Sequence, residues 1–330
     1  DIDQGLSYSG SANGTVDGEE QKQEQAVAVT NYTVDMNDIQ SGDVLYGRRY
    51  RVLVTDNSGV ALDVSKLRCT FNIQKTMLQQ PNYSTVTIYN LNATTENIVI
   101  MEGSRIVIEA GYVGNQYGQI FDGHILQPIR SKEDGVTFKL ELRSIDGDAF
   151  LNFGFTSFSL IKGQTCRTVV ENCVSRADNA IQISSLTDSL STEQLTRGKV
   201  VFGLAKDYLS QIAESHEATF YVDDGKINIT NLTDNVPDRI VELNPSTGLI
   251  GSPTQNDYGI DGKALLNPDI RLNSLIHVDS VYVEQEAVSL GSVIRTLDNA
   301  GIYRVTQVNY VGDTRGDDWY VEFKTVSQAG

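Results

Sequence analysis

Two pairs of adjacent aspartates, Asp223-Asp224 and Asp317-Asp318, are the best candidates for acid–base catalysis in this sequence. Paired carboxyl groups can serve a glycoside hydrolase, one as general acid and the other as base or nucleophile. Both pairs, however, fall in predicted hairpin turns, where an aspartate carboxylate commonly accepts hydrogen bonds from nearby backbone N–H groups. We therefore interpret both pairs as turn residues and predict no catalytic site.

The three histidines and three cysteines lack the spacing of metal or nucleophile motifs. His124, His216 and His277 fall on separate predicted elements, so no H-E-x-x-H pattern forms and surface or interface positions are expected. Cys166 and Cys173 share one side of a predicted helix, which favours buried thiols over a disulfide framework. The chain also lacks the G-x-S-x-G and phosphate-loop patterns. We predict no metal and no cofactor.

The composition indicates a folded chain with little affinity for nucleic acid. Its 330 residues correspond to about two domains, and its 40% hydrophobic and 21% charged residues are ordinary for globular proteins. A formal net charge of −17 argues against a surface that binds nucleic acid, because phosphate contacts need clustered lysines and arginines. No apolar run approaches the ~18 residues of a membrane-spanning helix, so no membrane partner is predicted.

Alternating apolar and polar residues start at Tyr46 and predict a first β domain over residues 43–150. The segment Leu67–Met77 alternates as a strand with one buried face does. Turn dipeptides such as Pro81-Asn82 and Asp134-Gly135 separate the alternating runs, a spacing typical of an antiparallel barrel or sandwich. The other strands predicted here are Thr85–Leu91, Arg105–Ala110, Ile120–Leu126 and Val136–Arg143.

The middle of the chain, residues 151–232, is predicted to be a small α+β module. Apolar residues recur at helical spacing in Cys166–Ala177 and again in Val201–Ala213, which predicts two amphipathic helices. Phe220–Val222 and Ile227–Ile229 then flank Asp224-Gly225, a dipeptide suited to a tight hairpin turn.

Strand patterns return in residues 233–330 and predict a second β domain. The clearest runs are Leu275–Val278, Tyr303–Val308 and Trp319–Thr325. Residues 1–42 are rich in small and polar residues and are interpreted as an extended arm. The expected core of the second domain contains Tyr303, Trp319, Val321 and Phe323.

The two β domains end in similar hairpins, which suggests an internal duplication. Phe121 precedes Phe138 by 17 residues, and Tyr303 precedes Trp319 by 16. The alternative is that any two antiparallel hairpins look alike at this level. A duplicated module would let three chains present six similar faces, and this would solve a mismatch between three-fold and six-fold partners.

Three stretches of the sequence carry a family resemblance. The first is Asn82–Leu91, which ends in the residues IYNL and is followed by Ala110-Gly111-Tyr112 and Ile120–Gly123. The second is Leu265–Arg271, which leads to Leu275-Ile276. The third is Tyr303-Arg304-Val305, followed by Gly312–Gly316 and Trp319. In order and spacing they resemble the baseplate hub proteins of contractile-tailed phages, whose fold is shared by the hub part of type VI secretion spikes.

The resemblance implies a mainly β chain with two tail-tube-like β-barrel domains and a small α+β insert. It implies a structural, non-enzymatic homotrimer with pseudo-six-fold symmetry. The partners it implies are a tail tube or tube-initiator protein, a central spike protein and a tape measure protein. DNA would pass through the channel without specific binding, in a virion baseplate assembled in the host cytoplasm.

The polar sides of Leu67–Met77 and Thr85–Leu91 are our candidates for the channel lining and for edge-to-edge pairing between neighbouring modules. Because the chain is acidic, we expect carboxylates in the channel that repel DNA phosphates. The candidate residues are Arg68, Thr70, Asn72, Gln74, Thr85, Thr87 and Tyr89.

Two other functions are compatible with the sequence. A carbohydrate-binding or adhesin module fits the tyrosine, asparagine and threonine content, and it predicts a monomer with an exposed aromatic platform. A tail-associated wall hydrolase requires a carboxylate pair assembled across domains, which a sequence alone does not reveal.

Overall fold

Strands dominate the computed structural model, and the prediction of a mainly β chain is confirmed. The structure describes residues 47–55, 61–92, 104–114, 116–234, 240–256, 258–279, 284–285 and 300–327. All of them belong to one compact unit, Gln40–Gly330. The predicted arm, residues 1–42, lies outside the described residues, so its conformation stays a prediction.

The alternating residues of the first β region form antiparallel strands. Their bounds are β1 Arg48–Thr55, β2 Ala61–Asp63, β3 Cys69–Thr76, β4 Asn82–Tyr89, β5 Arg105–Tyr112, β6 Tyr117–Lys132 and β7 Phe138–Asp146. They lie side by side in the order β2-β1-β5-β6-β7-β4-β3. The last predicted strand starts two residues later than expected, because the Asp134 carboxylate accepts hydrogen bonds from the N–H groups of Val136 and Thr137 and holds both in the turn.

The middle region combines short helices with two small sheets. Its elements are α1 Asp148–Phe153, β8 Phe155–Leu160, α2 Cys166–Ser175, β9 Gln182–Leu186, α3 Ser189–Thr192, β10 Lys199–Leu204, α4 Ala205–Ser215, β11 Thr219–Asp223 and β12 Lys226–Thr230. The β11–β12 hairpin is confirmed, and Asp224 and Gly225 adopt positive φ angles of 49° and 69° in its turn. The described helices are too short and too polar to cross a lipid bilayer.

The second helix of this region starts later than its sequence pattern predicts. Val201 was expected to be helical, but it lies in β10, which pairs along its length with β8. The run Val200-Val201-Phe202 is β-branched and aromatic, and such residues fit a pleated strand once a partner strand is present. The helical part begins only at Ala205.

The second β region joins the first in one sheet. Its strands are β13 Val241–Leu243, β14 Leu249–Gln255, β15 Ile260–Leu265, β16 Leu275–Asp279, β17 Glu284–Gln285, β18 Ala300–Asp313 and β19 Trp319–Ser327. The first half of β18 pairs with β16, and its second half, from Gln307 to Asp313, pairs with β3 of the first region. Among the described residues the result is a sheet of 14 strands.

The same strand order occurs twice in this sheet. In the first region the neighbouring strands are, in order, β3-β4-β7-β6-β5-β1. In the second region they are β14-β15-β19-β18-β16-β13, and each strand has the same rank along the chain as its counterpart in the first region. The two sets differ at the last pair, which is antiparallel for β5 and β1 but parallel for β16 and β13. We call these the first and second strand sets.

A β-bulge at matching positions aligns the two sets residue by residue. Leu126 is the extra residue between β6 and β7, and Thr306 is the extra residue between β18 and β19. Superposing the bulges makes Leu142 equivalent to Phe323 and Phe138 equivalent to Trp319, as the sequence comparison expected. It moves the start of the alignment, however, because Tyr303 then matches Gly123 and not Phe121.

Two hydrophobic cores stabilise this arrangement. The larger one contains buried side chains of both strand sets, and the smaller one lies within the middle region. Trp319 connects the two sets, because its ring packs edge-on against Phe71, with the centroids 5.5 Å apart, and its Nε1 donates to Gly111 O. All four residues expected in a second core are buried in the larger cluster: Tyr303, Trp319, Val321 and Phe323. Their assignment to a separate barrel stays a prediction.

Replacing Gly312 by alanine tests the contact between the strand sets. Gly312 lies opposite Phe71 in the β3–β18 pair, and a Cβ atom there would overlap the Phe71 ring. We expect Gly312→Ala to lower the free energy of unfolding by about 1–3 kcal/mol, measured by urea denaturation. The control is Gly118→Ala, whose Cβ would meet only Pro268 at 3.4 Å. Equal stability of the two variants would contradict this packing.

Candidate functional site

A broad polar surface covers one side of six neighbouring strands and is the first candidate site. The buried side of these strands faces the larger core, so their other side chains point away from it. We call this surface the polar face. Its members are Thr70, Asn72, Gln74, Tyr83, Thr85, Thr87, Tyr89, Lys139, Glu141, Arg143, Asp261, Lys263, Gln307, Asn309, Val311, Tyr320, Glu322 and Lys324.

Six of the seven predicted channel residues lie on the polar face, and the seventh lies beside it. Thr70, Asn72 and Gln74 on β3 neighbour Thr87, Thr85 and Tyr83 on β4. Arg68 precedes β3, and its Nη2 lies 2.7 Å from Asp313 Oδ2 at the end of β18. The predicted role of these residues in lining a channel stays a prediction.

Both edges of β3 and β4 are occupied within the chain. β3 pairs with β4 and with β18, and β4 pairs with β3 and β7. The contact between β3 and β18 is a pairing between the two β regions, as expected of neighbouring modules, but it occurs inside one chain. Pairing between chains would therefore use other strand edges.

The polar face is close to electrically neutral. Within the described surface, four lysines and arginines accompany three carboxylates. Glu322 accepts a hydrogen bond from Asn309 and lies 3.9 Å from Lys263 Nζ, and Glu141 accepts one from Arg143. The excess acidity of the chain is thus not concentrated here, and the expected carboxylate lining does not match this surface.

The second candidate site is a buried cluster of charges around Lys75. The Lys75 side chain is 3% exposed, and its Nζ lies 2.8 Å from Asp223 Oδ1 and 2.7 Å from Asp224 Oδ1. Asp224 also accepts from Asp122 N–H, and Asp146 accepts from Gly225 N–H. The turn between β11 and β12 is therefore held against strands β3, β6 and β7.

This cluster corrects the interpretation of Asp223-Asp224. Both residues lie at the predicted turn, but their carboxylates bind a lysine that is about 150 residues away in sequence, which local turn chemistry does not reveal. Together with Asp146 they form a group that could coordinate a cation. Because the Lys75 ammonium already bonds to two of the three carboxylates, it supplies the positive charge there.

Burial controls the protonation of these groups. Burial raises the pKa of Asp146 to about 7, an effect that Lys75 opposes and that Asp224 and Asp223 reinforce. Burial also raises the pKa of Asp223, against the effect of Lys75. For Lys75 itself, burial lowers the pKa, but Asp223 and Asp224 outweigh it and raise the pKa above its ordinary value. The ammonium is therefore charged at neutral pH.

A second buried cation attaches the end of the middle region to the second strand set. Arg304 is 1% exposed, and its guanidinium donates to Asn273 Oδ1 at 2.8 Å and to Asp234 O at 2.7 Å. Burial lowers the pKa of this guanidinium. Sequence reasoning noted Arg304 only within a short motif and missed this contact, because its partners are mostly backbone carbonyls.

The histidines and cysteines depart in part from expectation. Cys69 and Cys173 are free and buried, as predicted, and Cys166 is free and half-buried. His124 is exposed and His277 is half-buried, but the His216 side chain is only 6% exposed, so the predicted surface position is wrong for His216. His216 is buried because it ends α4 against the N-terminus of α2, a tertiary contact without a local sequence signal.

Lys75→Met tests the charge cluster. The substitution leaves buried carboxylates without a counter-charge, and we expect the free energy of unfolding to fall by about 3–5 kcal/mol. Urea denaturation at neutral pH measures the loss. Lys324→Met, on the exposed side of the same sheet, is the control and should change stability by less than about 0.5 kcal/mol. A loss of the same size in both variants would show that Lys75 has no special role.

Asp146→Asn tests the pH dependence that burial creates. Because the pKa of Asp146 is raised on folding, its contribution to stability is present below the ordinary carboxyl pKa and is lost as the pH rises through about 7. The asparagine keeps an acceptor for Gly225 N–H and does not titrate. Between about pH 5 and pH 8 the melting temperature of the variant should therefore fall less than that of the wild type. Parallel curves would contradict the shifted pKa.

Comparisons with known proteins agree with the fold. A sequence model described as baseplate hub gp41 matches residues 50–323, whereas no curated protein sequence matches the chain. The tail protein from Neisseria meningitidis MC58 is similar in structure, with a TM-score of 0.55 and 11% identity over 86% of this chain and 97% of that one. The 43 kDa tail protein of prophage MuSo2 from Shewanella oneidensis gives a TM-score of 0.56 and 10% identity over 85% and 97%. Since the family model spans most of the sequence, the chain belongs to the baseplate hub gp41 family.

Proposed function

We propose that three copies of this chain form a ring that joins a six-fold tail tube to a three-fold central spike. As a member of the baseplate hub family, the chain is a structural phage tail protein. The proposed partners are a tail tube or tube-initiator protein on one side of the ring, a spike protein on the other side and a tape measure protein. The alternatives of an adhesin or a wall hydrolase have weaker support, because the family match favours a structural role.

The repeated strand order is the observation that carries this proposal. Each chain contains two strand sets with the same order of six neighbours. Three chains would therefore contribute six similar sets around an axis, while the ring keeps three-fold symmetry for the spike. Sequence divergence between the sets is expected, because each set occupies a distinct position in the chain.

The contact between the two sets inside the chain suggests how one chain meets the next. There, β3 of the first set pairs with the second half of β18, Gln307–Asp313. In the aligned sets β18 corresponds to β6, and β3 corresponds to β14. The same contact between chains would place β14 of one chain beside the second half of β6, residues 127–132, in its neighbour. In the single chain the short strand β17 pairs with Thr254 and Gln255 on this edge of β14, so β17 would be displaced on assembly. β6 extends eight residues beyond His124, its last residue in register with β5, and among the described residues this leaves room for the strand.

The exposure of Phe138 supports this contact. Its equivalent, Trp319, is 2% exposed because Phe71 of β3 covers it. Phe138 is 57% exposed at the start of β7, next to the second half of β6. A neighbouring β14 would cover Phe138 as β3 covers Trp319, and the apolar area lost to water would favour association.

We further propose that the polar face lines the channel of this ring. Amides, hydroxyls and nearly balanced charges provide a hydrated surface without clustered cations, so DNA phosphates would find few ionic partners. DNA would pass because the channel wall does not attract its phosphates, and repulsion by carboxylates is not required. Both mechanisms would let DNA pass without specific binding.

Light scattering of the purified chain tests the ring, and Phe138 tests its contact. We expect a mass of three chains for the wild type, and three-fold particles with six similar lobes by electron microscopy. Phe138→Asp should give a folded monomer with the circular dichroism spectrum of the wild type, because the ring is exposed in the single chain. The control is Phe202→Asp in the middle region, where the ring is 69% exposed, and it should remain trimeric. A monomeric wild type, or a trimeric Phe138→Asp variant, would refute this assembly.

A further inference from the structure

Three potential metal ligands that are far apart in sequence meet in the middle region. Cys166 Sγ, a Glu193 carboxylate oxygen and a His216 ring nitrogen all lie within 4.8 Å of one another. Cys166 is the first residue of α2, Glu193 follows α3, and His216 follows α4. The group is separate from the Lys75 cluster and from the polar face, and the proposed ring does not use it.

Backbone hydrogen bonds hold the first two ligands side by side. Cys166 N–H donates to Glu193 O at 3.2 Å, and Leu195 N–H donates to Gln164 O at 2.8 Å. Thr165 and Gln194 form an isolated β-bridge between these contacts. The thiol and the carboxylate therefore approach each other because of the chain path, and their proximity does not depend on a bond between the side chains.

The third ligand is a buried histidine whose outer nitrogen has no hydrogen bond among the described residues. The His216 side chain is 6% exposed, and its Nε2 lies 3.4 Å from Glu193 Oε2 without hydrogen-bond geometry. Leaving a buried ring nitrogen without a partner is costly, and native structures seldom do so. A ligand at this point would satisfy the nitrogen.

We propose that Cys166, Glu193 and His216 bind one zinc ion, with water as the fourth ligand. Sulfur, nitrogen and oxygen donors together suit zinc, whereas magnesium and calcium prefer oxygen alone. Zn–N and Zn–O bonds of about 2.0–2.1 Å in a tetrahedron place the two donor atoms about 3.3 Å apart. The distance of 3.4 Å between His216 Nε2 and Glu193 Oε2 agrees with this spacing.

The zinc ion would act as a structural tie within the middle region. It would connect the start of α2, the loop after α3 and the end of α4, which are otherwise joined by the smaller core and by backbone hydrogen bonds. Because a metal that binds only the folded state stabilises it, zinc should raise the melting temperature of the full chain.

The test is a titration of the full chain with zinc chloride at neutral pH after dialysis against a chelator. We expect one equivalent to bind in calorimetry and the melting temperature to rise. Cobalt(II) in place of zinc should give the thiolate charge-transfer band and the visible bands of a tetrahedral site. Cys166→Ser should abolish the charge-transfer band and weaken zinc binding at least tenfold. A wild type that binds no zinc would refute the proposal.

Two further variants keep the result interpretable if Cys166→Ser does not fold. Glu193→Gln changes a side chain that is 65% exposed, so it should fold normally and bind zinc at least tenfold more weakly. His277→Ala is the matched control, since His277 pairs with Glu242 without a cysteine nearby, and it should bind zinc as the wild type does. Equal affinity of Glu193→Gln and the wild type would place the ion elsewhere and overturn the assignment.

Discussion

The pairing of β3 with the second half of β18 is the contact on which the rest of the structure depends. Through it the two strand sets become one sheet, and the buried face of β3 contacts both the second strand set and the middle region. Inward, Phe71 packs against Trp319 and Lys75 binds the turn of the middle region, while Asn72 and Gln74 point to the polar face. A shift of one residue would exchange these faces, exposing Phe71 and burying Asn72, so the register is strongly fixed.

Lys75 explains why the middle region docks in one orientation. Apolar contacts alone tolerate sliding, whereas a buried ammonium needs its carboxylates at hydrogen-bond distance. Asp223 and Asp224 meet this need from one tight turn, and Asn82 Nδ2 adds a bond to Val222 O at 2.9 Å. The desolvation of these charges offsets most of their mutual attraction, so we attribute orientation rather than net stability to them.

The sequence predicted what depends on local pattern and missed what depends on distant partners. Alternation located most strands, and the Asp224-Gly225 turn was identified from its left-handed preference. Val201 was misassigned because only its pairing with β8 makes it a strand. The partners of Lys75 and the burial of His216 have no local signal. The sequence comparison matched Tyr303 with Phe121, two residues before its structural equivalent Gly123, because the β-bulge in each set has no sequence signal.

The two strand sets carry different residues at equivalent positions because the contact inside the chain forms before the proposed contact between chains. The contact inside the chain forms during folding, so Trp319 can be fully buried and Gly312 can admit the Phe71 ring. In the proposed contact between chains, the equivalent positions hold Phe138 and Lys132, and the Lys132 ammonium lies 4.6 Å from the Phe138 ring centroid. A lysine over an exposed ring keeps the free chain soluble and can swing aside when a neighbour arrives. A tryptophan and a glycine there would present a bare apolar edge before assembly, with the risk of wrong pairing.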